Sequence, residues 1–118
     1  MLTNYNNSLE LLIDSQNLRL YNQLINQLNK DFNSVSINVA FSKNNKPSEL
    51  KENLQITIKK LIEIDFNTFT NLLYRVDISE NNAKNSKSLN LEEYSTKIAF
   101  LILKRALQKV WFKNQYSK

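Results

Sequence analysis

The chain has 118 residues, a formal net charge of +5, 42% apolar and 10% aromatic residues, and no cysteine, histidine or glycine. That hydrophobicity supports a folded core without disulfide or metal staples. The zeros exclude thiolate and imidazole chemistry, Ser-His-Asp triads, Cys or His metal sites, and glycine-rich phosphate loops, whose backbone needs φ > 0 and close approach to the anion. No cofactor is expected.

Met1 to Ser8 carries no positive charge ahead of an apolar block, and the longest purely apolar run, Ile98 to Leu103, is far shorter than the roughly 20 residues of a spanning helix. The expectation is a single helical domain over 1–118, cytoplasmic, with no membrane span. Asparagine is abundant and lysine far outnumbers arginine, a pattern of A/T-rich coding. The positive charge is therefore a weaker pointer to nucleic acid or another acidic partner than its size alone implies.

In chain order, Leu18, Tyr21, Ile25, Leu28 and Phe32 step by three and four, which predicts an amphipathic helix near 15 to 32 with Ser15 as N-cap. Leu9 and Leu11 to Ile13 read as an extra turn or a separate short helix. Val35, Ile37, Val39 and Phe41 alternate with polar residues, as in a half-buried strand, but no second segment pairs with them. Near 34 to 42 we expect an extended connector across the helices, or a strand paired with another copy.

Pro47 and Ser48 open the next element, Ser48 in a capping position, and Leu50, Leu54, Ile58, Leu61, Ile62, Phe66, Phe69, Leu73 and Val76 hold one face. This predicts one long helix near 48 to 78, either kinked near Asn67 to Thr70 or serving as a spine. A polar linker over Ser79 to Ser88 leads to a last helix near 90 to 114, capped by Asn90 with Glu93 three residues on. The middle of that helix is apolar all round, which asks for burial on several sides.

Four features bear on function. Glu63 with Asp65, and Asp77 with Glu80, are the acid pairs a hydrolase or a magnesium site needs, but solvated helix-face carboxylates are common and nothing marks a pocket wall. Arg75 and Asp77 lie within an apolar helix face, either recognising a partner through the Arg fork or satisfying a helix end and each other. After Glu93 there is no acid, while Lys97, Lys104, Arg105, Lys109, Lys113 and Lys118 follow, interleaved with Trp111, Phe112 and Tyr116. Such a helix grips phosphates and stacks on bases or lies on an anionic membrane surface, or its cations simply complement the helix dipole and its aromatics belong to the core. Last, the apolar surplus of this helix is met by a second copy, a C2 dimer being the common solution, or by the connector and N-terminal segment.

Asp65 through Glu80, with Ile98 to Lys109, resembles short uncharacterised bacterial proteins that pair a "DF…LLYR.D.SE" helix with a "LIL.R..QK" helix. The resemblance covers about a third of the chain, carries no catalytic signature and implies only a helical fold.

The sequence thus reads as all-α, a three to four helix bundle with one long central helix and a short extended connector. Its expected function is non-enzymatic protein–protein interaction or scaffolding, with self-association through apolar helix faces. The alternative is a nucleic-acid or ribosome-associated factor using the basic last helix. The candidate binding residues are Arg75, Asp77, Lys104, Arg105, Lys109, Trp111 and Lys113, with no catalytic or metal-binding residue.

Overall fold

The structure, a computed structural model, describes residues 4–79, 83 and 89–116. Most of the linker expected over Ser79 to Ser88 lies outside the described residues, as do Glu80 and Lys118. Among those described, the chain is all-α: α1 (Ser8–Asn17), α2 (Tyr21–Ser34), α3 (Pro47–Ile64), α4 (Phe66–Val76) and α5 (Leu91–Tyr116). None of these helices is long and apolar enough to cross a membrane.

The elements are cut more finely than the periodicity predicts. The segment near 15 to 32 belongs to two helices, and Ser15 is no cap: it lies buried in α1 with its hydroxyl donating to the Leu12 carbonyl at 2.6 Å. Asn7 caps α1 instead, its side chain accepting from the Glu10 amide at 2.9 Å. The stretch near 48 to 78 is likewise two helices, parted at Asp65 rather than near Asn67 to Thr70. The Asp65 carboxylate accepts from the Thr68 amide and hydroxyl, so it starts a new helix where the old one stops. Lys46, not Ser48, holds the N-cap position of α3, with Pro47 first in the helix and the Glu49 carboxylate accepting the Lys46 amide at 2.8 Å. The longest helix is therefore α5, with 26 residues.

Three helix ends share one device, which follows from the absence of glycine. Helices that end in a Schellman motif place a left-handed residue, usually glycine, just after the last turn. This chain uses Arg19 (φ 61°), Ser36 (φ 67°) and Asp77 (φ 68°) there. The following residues, Leu20, Ile37 and Ile78, each donate an amide back to a carbonyl five residues earlier, those of Ser15, Phe32 and Leu73. Each of these apolar residues is thereby folded against the core cluster. Every left-handed non-glycine residue costs roughly 1 kcal/mol or more, which the packing behind it offsets.

The alternating segment after α2 is an extended connector, with no strand among the described residues. Ile37 and Phe41 point inward and are buried, and Phe41 meets Phe32 edge to face at 5.3 Å. Its backbone is satisfied by a side chain in place of a ladder. Asn29 of α2 accepts from the Phe41 amide at 2.7 Å and donates to the Phe41 carbonyl at 3.0 Å, imitating a neighbouring strand. Tyr21 donates its hydroxyl to the Asn45 carbonyl at 2.7 Å and anchors the far end; burial, then Glu49, raises its pKa above the usual tyrosine value.

α5 is the axis of the molecule and touches each of the other four helices. Ile98, Ala99, Ile102, Leu103, Ala106 and Leu107 are buried, with Phe100 and Leu101 half-buried against the same cluster. The apolar middle that asks for several neighbours therefore finds them within its own chain.

Candidate interaction surface

On one side of the bundle, a carboxylate joins three helices. Asp31 of α2 is 1% exposed and follows Leu24 and Leu28 in the inward stripe. Its Oδ1 accepts from Arg75 Nε of α4 at 3.2 Å and from Gln27 Nε2 at 3.0 Å, and its Oδ2 lies 3.5 Å from Lys109 Nζ of α5. A buried charge is tolerated when it is paired and hydrogen-bonded, and both conditions are met. The cations remain partly in water, their side chains 41% and 24% exposed.

This arrangement locates the residues singled out by sequence. Arg75 and Asp77 do not satisfy each other: Arg75 turns to Asp31, and Asp77 receives Arg105 Nη2 of α5 at 3.2 Å. Arg105 Nη1 also donates to Gln108 at 3.0 Å. Lys104 sits 5.3 Å from the centre of the Phe100 ring, one turn back on α5. Trp111 is half-buried and meets Phe112 edge to face at 5.5 Å. Lys113 is exposed and borders a small polar hollow with Gln23 and Lys30 of α2. The structure thus brings Arg75 and Lys109 together on Asp31, and Asp77 together with Arg105. Lys104, Trp111 and Lys113 stand apart from these pairs along α5.

The larger opening lies on the other flank of α4. Because α4 restarts at Asp65, its inward residues are Phe69, Leu72 and Val76, all buried, while Phe66, Thr70 and Tyr74 form a second line spaced by four. Phe66, which the periodicity places on the inward face, is 59% exposed, and Tyr74 is 86% exposed. Between this line and the start of α5 runs a groove of about 600 Å³, walled by Phe66, Phe69, Leu73, Tyr74, Ile78 and Tyr94. Its aromatic floor is continuous: Phe66 and Phe69 centre 5.6 Å apart, and Phe69 meets Tyr94 edge to face at 6.3 Å.

The electrostatics of the groove follow from its neighbours. Burial raises the Tyr94 pKa, so this wall stays neutral under ordinary conditions. Next to Phe66 in the chain, the hydrogen bonds from the Thr68 hydroxyl and amide hold the Asp65 carboxyl below the usual aspartate range, so it is charged. Exposed Glu63 and Glu93 adjoin the same ends of α3 and α5.

Two of these features escaped the sequence reading. Asp31 had a signal, a lone acid in the stripe Leu24, Leu28, Asp31 on a helix otherwise apolar along that line. The exposure of Phe66 had none, since it depends on where the helix restarts. Comparisons with family models, curated proteins and solved structures found no match.

Proposed function

We propose that this chain is a non-enzymatic interaction protein that self-associates through the apolar groove on α4. One observation supports this above others: the chain covers the oily middle of α5 on several sides yet leaves Phe66 and Tyr74 open beside a continuous aromatic floor. Removing apolar area from water contributes about 25 cal/mol per Å², and exposed aromatics beside a groove are the usual anchors of an interface. A cysteine-free chain suits a reducing, cytoplasmic setting. The nucleic-acid reading has less support, because Arg105 and Lys109 of the basic helix are engaged with carboxylates of the same chain.

Light scattering after gel filtration, at low and high salt, tests the proposal. Assemblies that persist in high salt and are lost in a Phe66→Ser/Tyr74→Ser variant are the expected result. A monomer at every concentration overturns it, and a monomer that co-purifies with nucleic acid favours the basic helix instead.

A further inference from the structure

Among the described residues, the groove is one of two places where large aromatic side chains stay uncovered together. The other is the far end of α5, where Phe112 is 45% and Tyr116 84% exposed. These two rings are four residues apart and share one helix face, the spacing that helices use to dock in grooves. We propose that the α4 groove of one copy receives the end of α5 from a second copy, with Phe112 and Tyr116 entering the trough and Lys113 facing the acidic helix ends that carry Phe66 and Tyr94. This rests on the reading of the groove as a self-association surface and adds the identity of its occupant.

Two observations carry the pairing. The first is charge. Glu63, Asp65 and Glu93 are exposed at the helix ends that carry Phe66 and Tyr94, and Arg75 and Arg105 are engaged with Asp31 and with Asp77 of the groove lining. The end of α5 is opposite in sign, since no acid follows Glu93, Lys113 lies beside Phe112, and the one carboxylate that Lys109 meets, Asp31, is already met by Arg75. Like ends therefore repel and unlike ends attract, which disfavours groove on groove and favours groove on helix end.

The second is geometry. Tyr94 in the groove wall and Tyr116 at the other end are separated along a continuous helix by about 33 Å, in a molecule 40 Å long. A straight helix cannot return its own end to its own groove, so the occupant comes from another molecule. A contact between two different surfaces of identical copies is heterologous: it closes into a ring or runs on as a chain, and does not stop at a two-fold dimer.

The test uses complementary defects in the full chain. A groove variant, Phe66→Ser/Tyr74→Ser, and an end variant, Phe112→Ser/Tyr116→Ser, alter exposed positions, and circular dichroism checks that each still folds; Tyr74→Ser alone is the fallback if the pair does not. Sedimentation velocity of the wild type is expected to show species larger than a dimer as concentration rises. The sole tryptophan, Trp111, adjoins Phe112, so its emission should move to the blue as copies join. Each variant alone should associate at least about tenfold more weakly. Mixed in equal amounts, they should form a one-to-one dimer, because each supplies the half the other lacks.

If both variants are monomeric and remain so when mixed, the two surfaces do not complement each other and the proposal is overturned. If the end variant assembles like the wild type while the groove variant does not, the groove still mediates self-association but α5 is not its occupant. A wild type that stays monomeric removes both readings. A Trp111 shift on adding anionic vesicles or nucleic acid, without self-association, assigns the end of α5 to that ligand and likewise overturns the pairing.

Discussion

α5 and α4 divide the apolar material of this protein in opposite ways. α5 is apolar through its whole middle, and four helices of the same chain close over it. α4 is an ordinary amphipathic helix with a buried line, Phe69, Leu72 and Val76, yet beside that line it leaves Phe66 and Tyr74 in water. Total hydrophobicity therefore does not locate the surface with unmet burial. That location depends on which neighbours the topology supplies, and α4 lacks one on its outer flank among the described residues.

The comparison is broken most directly by mutation. Leu103 of α5 is fully buried, and Leu103→Ala should cost about 2 to 5 kcal/mol in denaturant unfolding, from lost transfer energy and the cavity left behind. Tyr74→Ser on α4 should stay within about 0.5 kcal/mol of wild type, as exposed substitutions do, while weakening association. Equal losses of stability at the two sites would show that Tyr74 is part of the folded core and the groove is no free surface.

Next in size is Asp31, where the two helices meet through a charge. Asp31→Asn removes the carboxylate that faces Arg75 and Lys109. Breaking a fully buried pair costs more, but these cations keep access to water, so a loss of about 1 to 3 kcal/mol is expected from urea titration. A variant as stable as wild type would mean that the carboxylate's burial cost already cancels its pairing.

What was legible in the residues divides along the same line. The inward stripes of α2, α3 and α5, and the capping role of Asn90, follow from spacing and side-chain chemistry, because period 3.6 and an N-cap acceptor are local properties. A separate N-terminal helix and a kink in the long one are among the readings the residues allow, but the positions of the breaks, at Leu18 to Leu20 and at Asp65, were not legible. The apolar stripe continues across both, and glycine, the usual signal of a helix end, is absent. The partners of Arg75 and Lys109 were hidden for another reason, since Asp31 is 44 and 78 residues away in sequence. The connector was half legible: alternation gave the inward positions Ile37 and Phe41, but not that the Asn29 side chain takes the place of a strand.

Because left-handed positions here lack glycine, they offer a smaller and opposite effect. Arg19→Gly and Ser36→Gly relieve the Cβ clash at φ 61° and 67°, partly offset by the greater freedom of glycine in the unfolded chain. Each should stabilise the fold by about 0.5 to 1 kcal/mol, read as a higher midpoint in thermal or urea unfolding. Neither position borders the α4 groove, so association should be unchanged. A lower midpoint would show that the side chains themselves hold these ends.

The smallest effect concerns Asp65, the residue that both ends α3 and presents Phe66 to the groove. Its carboxyl is held below the usual aspartate range by the Thr68 hydroxyl and then the Thr68 amide, while the unfolded chain titrates near the ordinary value of about 3.9. With the folded value the lower one, the unfolded state binds the proton first on acidification. The stabilisation is therefore present above about pH 4 and is lost as pH falls through the folded value. Asp65→Asn keeps an acceptor for the amide but has no charge to lose, so its unfolding midpoint should lie below that of wild type at neutral pH and converge with it in acid. Midpoints that stay apart down to the lowest pH would show that the ionised carboxyl does not stabilise this cap. Convergence accompanied by weaker self-association, with α5 still protected from hydrogen exchange, would locate the loss in the groove helix and leave the covered helix intact.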